Sequence, residues 1–130
     1  MKAFNRQVIQ DFRATGGKMT GPMAGRKLML LTTTGKRSGQ AQTVVLGYGK
    51  EGNRHVIIAS ANGAPDHPSW YRNLVANPEV IVEVGPETFK ARARTANAQE
   101  RDQLKGLIPF YEQEQRKTSR QIPLVILEPL

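Results

Sequence analysis

Leu30-Leu31-Thr32-Thr33-Thr34-Gly35-Lys36-Arg37-Ser38-Gly39 opens as an apolar, β-branched run and closes on two glycines, two cations and a hydroxyl. Such a stretch is a strand that delivers its backbone to an exposed turn. Gly35 and Gly39 permit positive φ and close backbone approach. The turn can then aim amide hydrogens outward as an anion nest. Lys36 adds a point charge and Arg37 a planar fork, both suited to phosphate or carboxylate. The plainer alternative is a hairpin with a solvated basic tip, since glycine and lysine are common in turns. The turn is not a Walker loop, because G-x-x-x-x-G-K-[ST] does not occur in the chain.

Working outward, the same hairpin logic recurs. Residues 42–49 resume strand character, Glu51-Gly52-Asn53 marks a turn, and Arg54 to Ala61 reads as the next strand. Val80 to Val84 and Phe89 to Thr95 form a further pair across Gly85-Pro86, with Lys90, Arg92 and Arg94 as a solvent-facing cationic row. Ile122 to Leu127 is an apolar run short enough for a buried strand. Helical spacing appears at 3–14, where Phe4, Val8, Ile9 and Phe12 share a face that Gly16-Gly17 ends. Residues 18–26 read as a loop. Ser69 to Ala76 reads as two helical turns, with Pro68 in the first turn, Asp66 or Ser69 as cap, and Asn77-Pro78 as stop. Helices are also expected at 98–107 and 110–119. About six strands joined mainly by hairpins predict one domain over residues 1–130: mainly β with flanking helices, an antiparallel sheet curling into a small barrel.

Composition narrows the partners. Nineteen Lys and Arg against eleven Asp and Glu give a formal charge of +8, which favours an anionic partner: nucleic acid, acidic lipid or a polyanionic cofactor. No RNP-like stacking pair, zinc finger or helix-turn-helix supports nucleic acid. The chain has no cysteine, which removes disulfides and thiolate nucleophiles and fits a cytoplasmic location. No apolar run approaches the roughly 18 residues of a membrane span. Membrane-surface contact through the Phe4–Phe12 helix stays open as a minor alternative to packing over the barrel.

The catalytic inventory is short. His55 and His67 are the only histidines, and no metal site is expected from them. There is no G-x-S-x-G elbow and no carboxylate pair. An enzyme built this way borrows its chemistry from a bound cofactor. Trp70 and Tyr71 can wall a flat ring or fill the core. Tyr111, after Pro109-Phe110, can donate into a pocket or snorkel.

The combination of Thr33-Thr34-Gly35-Lys36-Arg37-Ser38-Gly39 with His67-Pro68-Ser69-Trp70-Tyr71-Arg72-Asn73-Leu74-Val75-Ala76-Asn77-Pro78 closely resembles the deazaflavin-dependent nitroreductase family of actinobacteria. The likeness runs from the Phe4 helix to Pro129. It implies a split β-barrel of the FMN-binding-like kind that binds coenzyme F420, rather than FMN, and passes its hydride to a quinone or nitro-aromatic acceptor. By the resemblance, Lys36, Arg37 and Ser38 hold the cofactor's phosphate. Gln42, Thr43, Val44, Val45, Leu46 and Gly47 run along the cofactor, and Ala59, Ser60, Ala61 and Asn62 line the ring. Ser69, Trp70, Tyr71, Arg72 and Asn73 form the aromatic helix. Tyr111 and Ser60 are the expected hydroxyls for charge on the acceptor. The chain departs from the family pattern at Gln42, Asn62 and Glu114, where arginine, lysine or glycine, and tyrosine are common. Split barrels of this kind often pair as dimers, so a homodimer is also expected. The alternative reading is a split-barrel cofactor- or lipid-binding module with little turnover.

Overall fold

The computed structural model describes residues 2–21 and 24–130, with side chains from Arg6 onward. Phe4, placed above on the first helix, and Pro22 and Met23 of the 18–26 loop lie outside the described side chains.

Seven strands make one antiparallel sheet: β1 (Leu28–Thr34), β2 (Ala41–Gly47), β3 (Gly49–Glu51), β4 (Arg54–Ile58), β5 (Glu79–Val84), β6 (Glu87–Thr95) and β7 (Leu124–Pro129). Their spatial order is β2-β1-β5-β6-β7-β4-β3. The two outermost strands are therefore consecutive in sequence, and only Tyr48 separates them. A flat seven-stranded sheet would hold its edges tens of ångströms apart at about 4.8 Å per strand. One residue cannot span that, so the sheet curls until its edges meet. The result is the antiparallel barrel expected from the hairpins, split between β2 and β3.

The strand count exceeds the expected six because 42–49 is not one strand. Tyr48 breaks it, and Gly49 starts a new ladder in which it pairs with Val56. A side chain on Gly49 would sit 2.5 Å from the Leu107 carbonyl, so only glycine fits. Gly47, Gly49 and Gly52 also carry G-x-G-x-x-G spacing. They lie between antiparallel strands with no helix following, so the spacing is not a dinucleotide fingerprint here.

Alternation sorts the core into two layers. Met29, Leu31, Ile57, Val80, Val82, Ala91, Ala93, Val125 and Leu127 point into the barrel. Val56, Ile58, Leu124 and Ile126, one step out of phase on β4 and β7, point outward under Leu104, Ile108, Tyr111 and Ile122. Helix α2 (Ser69–Ala76) closes the inner layer with Trp70 and Leu74, spaced i,i+4. Helices α3 (Ala98–Leu104) and α4 (Tyr111–Gln115) cover the outer layer. They are shorter than the predicted 98–107 and 110–119, because residues 105–107 tighten into a 3-10 turn and the chain bends at Arg116. A capping box of Asn97 and Glu100 starts α3.

Helix α1 (Lys2–Thr15) buries Val8 and Phe12. It ends where Gly17, at φ +84°, donates to the Phe12 carbonyl and packs against Gly85. Arg13 forks onto both oxygens of Glu83 at 3.0 and 2.9 Å, fastening α1 to β5.

Three local expectations are corrected. Arg94 is not a free member of a solvent-facing row: it is half-buried and bonds both Glu100 and Glu128, while Lys90 and Arg92 are exposed. Pro68 occupies the N-cap of α2 rather than its first turn, and no side chain caps that end. The strand after Arg54 stops at Ile58, and Ala61–Gly63 forms a 3-10 turn instead. Ala61 (φ 48°) and Asn62 (φ 55°) there adopt left-handed backbone that side chains disfavour.

Candidate functional site

The β1–β2 hairpin ends in the turn 35–40, and that turn forms one wall of a groove of about 600 Å³. Lys36, Arg37 and Ser38 line it from the turn, Gln42 from β2, and Ser69, Arg72 and Asn73 from α2. Among the described residues no acidic side chain lines the groove. Among the described residues Lys36, Arg37 and Arg72 form no ion pair. Their three charges act together on whatever enters.

The turn is built differently from an open nest. The Gly35 amide donates to the Gln40 carbonyl at 2.7 Å, Gly39 to Gly35, and Gln40 to the Ser38 hydroxyl. Lys36 donates its amide to Asn73 Oδ1 at 3.0 Å. Only the Arg37 and Ser38 amides of this turn are left for a ligand. Gly39 takes positive φ as expected. Gly35 does not; a Cβ there would lie 2.5 Å from Ser38 Oγ and 3.2 Å from the Gln40 carbonyl oxygen, so a side chain would displace the Ser38 hydroxyl that accepts from the Gln40 amide.

Asn73 is the keystone of the groove floor. It is buried, with 8 % exposure. Its Nδ2 donates to Gln42 Oε1 at 2.8 Å and Thr33 Oγ1 at 3.2 Å. Gln42 in turn donates to Ser69 Oγ at 3.2 Å. Asn77 donates to the Thr34 carbonyl at the other end of α2. Gln42 thus joins a neutral network with Asn73 and Ser69.

Beyond the groove β2 is half-buried from Gln42 to Gly47. Thr43 shares a hydroxyl contact with Thr32 at 2.8 Å, and Val44 and Leu46 pack on the inner core. At the far end, roughly 20 Å along the strand, lies a second cavity of about 540 Å³. Leu28, Tyr48, Leu107, Pro109 and Phe110 give it apolar walls, Arg26, Lys27 and Glu114 add charged ones, and Gly47 leaves room for the Phe110 ring. Burial pushes the Tyr48 phenol above its ordinary pKa, so it stays a donor.

The predicted ring wall, 59–62, is a separate part. Ala59 is buried, Ser60 half-buried and Asn62 exposed. None of them lines the basic groove. They connect to α2 through Arg120, whose guanidinium donates to the Ala59, Ser60 and Ala64 carbonyls and to His67 Nδ1. His67 packs edge-on against Tyr71 at 5.0 Å. Sequence reading assigned Arg120 no role, because its partners lie 53 to 61 residues away.

The remaining predicted residues are dispersed. Trp70 is 6 % exposed and fills the inner core. Tyr71 bonds Thr95 Oγ1 at 2.8 Å beside the groove. Tyr111 sits on the outer face of the sheet, opposite Trp70, and its hydroxyl donates to the Ile122 carbonyl at 3.1 Å.

Comparison with known proteins adds the following. The family model for F420H(2)-dependent quinone reductases matches residues 4–129. An F420H(2)-dependent quinone reductase of Mycobacterium tuberculosis is 35% identical over 124 residues, covering 89% of this chain and 83% of that protein. A solved structure of an F420-H2 dependent reductase is 39% identical with TM-score 0.72, covering 79% of this chain and 95% of the other. Another, described as a domain-swapped dimer, is 34% identical with TM-score 0.74, covering 95% and 93%.

Proposed function

This chain belongs to the F420H(2)-dependent quinone reductase family, and from that premise we propose that it is an oxidoreductase passing a hydride from reduced coenzyme F420 to a quinone. The single observation that carries the site assignment is the groove: three unneutralised cations, hydroxyl and amide donors, and no carboxylate. That donor set fits a ligand whose tail carries a phosphate and a run of carboxylates.

When bound in its reduced form, the deazaflavin supplies the hydride and its two electrons. The chain's own residues position and shield. Lys36 and Arg37 take the phosphate, with the Ser38 amide and hydroxyl beside them. Arg72 faces the same charge from α2. Gln42 and Asn73 hold turn and helix at fixed spacing, so the clamp is formed before the ligand arrives. Thr43 to Gly47 lead from the clamp toward the second cavity, where Leu28, Leu107 and Phe110 offer apolar contact to a flat quinone. A quinone that accepts hydride gains negative charge on oxygen, which a nearby donor stabilises before a proton arrives. Tyr48, which lines that cavity, is the residue we assign to that role. Ser60, which lies outside that cavity and whose hydroxyl makes no cap hydrogen bond to its own turn, is kept as the donor on the ring wall. Tyr111 is left out, since its proton is committed to Ile122.

The relative described as a domain-swapped dimer supports a homodimer for this chain as well. No helix among the described residues is long and apolar enough to cross a membrane.

The test is anaerobic oxidation of reduced F420 by purified protein, with a water-soluble quinone and a nitro-aromatic as separate acceptors. Catalysed return of the oxidised deazaflavin absorbance with quinone is the expected result. Cofactor binding without turnover on any acceptor would favour a binding module instead.

A further inference from the structure

Arg120 holds four acceptors at once. Its Nε donates to the Ala64 carbonyl at 2.8 Å, Nη2 to the Ser60 carbonyl at 2.7 Å and the Ala59 carbonyl at 3.2 Å, and Nη1 to His67 Nδ1 at 2.8 Å. All four are neutral. Among the described residues no carboxylate pairs with this guanidinium. A guanidinium fork is rigid and donor-only, so it fixes the carbonyls it binds relative to one another.

The segment so fixed is strained. Ala61 and Asn62 are the two non-glycine residues with positive φ among those described, and they are adjacent. Such backbone persists only where the surroundings over-determine it, and it concentrates at functional sites. Here the surroundings are Arg120 on the carbonyls, Lys117 Nζ on Asn62 Oδ1 at 3.0 Å, and Gly63 pressed against the Lys117 side chain. Arg120 also settles His67. A donor at Nδ1 makes that nitrogen the acceptor, so the ring proton sits on Nε2. Burial, then Arg120 and Arg72, lower the ring's pKa against a smaller opposing pull from Asp66. The same ring contacts Tyr71, one residue before Arg72 of the groove.

We propose that Arg120 is a positioning residue for hydride transfer, fastening the strained 59–64 turn and His67 into one wall against which the deazaflavin ring is oriented. The inference rests on the cofactor reading above. It divides the labour of the site: the basic turn gives affinity, and the Arg120 wall gives orientation.

Arg120→Gln removes the fork while leaving the groove intact. F420 affinity, measured by titration, stays within about threefold of wild type, whereas single-turnover hydride transfer slows by about tenfold or more, as misorientation predicts. Arg120→Lys keeps the charge but not the fork and is slowed as well. Millimolar guanidinium added to Arg120→Ala restores part of the rate. Independently of any cofactor, nitrogen NMR of the free protein finds His67 as the Nε2–H tautomer in wild type and as a mixture in Arg120→Gln. Wild-type transfer rates in Arg120→Gln and Arg120→Lys would overturn the proposal, as would losses of affinity and rate in equal proportion. Wild-type protein that binds no F420 would overturn the cofactor reading itself, and this inference with it.

Discussion

Asn73 Oδ1 accepts the backbone N–H of Lys36 at 3.0 Å. This bond joins α2 to the basic turn, two elements 37 residues apart, and sets the width of the groove between them. Because Asn73 is buried, replacing it by alanine strands Gln42 and Thr33 as well as the Lys36 amide. Asn73→Ala is expected to cost about 2 kcal/mol of stability and to weaken F420 binding. Thermal unfolding and a titration check both.

Lys36 and Arg37 are exposed, and their turn is held by backbone bonds that their side chains do not make. Lys36→Ala and Arg37→Ala should therefore leave the melting temperature near wild type. Each should weaken F420 binding by about tenfold and flatten its dependence on salt. Unchanged affinity in both variants would remove the phosphate clamp from the account.

Two tyrosines divide sharply. Tyr111 is buried and bonds Ile122, and Gln121 donates to its hydroxyl at 2.9 Å. Tyr111→Phe should lower stability by about 1 kcal/mol and leave hydride transfer nearly unchanged. Tyr48→Phe should do the reverse, lowering kcat/KM for the quinone by about tenfold with F420 affinity intact. Steady-state kinetics beside thermal melts separates the two.

His55 lies between the Tyr48 and Phe89 rings, and its Nδ1 has no hydrogen-bond partner among the described residues. Burial first, and Lys50 second, lower its pKa from 6.5, against a smaller opposing pull from Glu87. His67 is lowered as well. Above 6.5 the imidazoles are neutral in both folded and unfolded chains, so the native state keeps its full stability. As pH falls below 6.5 the unfolded chain takes up protons first, and stability is lost until the folded pKa is passed. Denaturant midpoints should fall between pH 7 and 5, and His55→Leu should flatten part of that slope.

Much of this was legible in the sequence because the signals were local. Ser69 to Ala76 is bounded as read, since Pro68 and Asn77-Pro78 punctuate it and Trp70 and Leu74 share a face. The β1–β2 and β5–β6 hairpins follow from their turns. The division of β2 from β3 was not legible, because the constraint on Gly49 comes from Leu107, 58 positions away in the chain. The left-handed Ala61 carried no signal, since alanine does not favour that backbone, and the Arg120 bonds to the carbonyls of residues 59, 60 and 64 come from far along the chain. Tyr111 read as a pocket donor or a snorkelling side chain, and only the two-layered core decides which face of the sheet it meets.

The most direct test of the central claim is a fluorescence titration of the purified protein with coenzyme F420, with FMN run in parallel. The account predicts saturable binding that favours F420 and is weakened in Lys36→Ala. Tighter binding of FMN, or binding of neither, would contradict it.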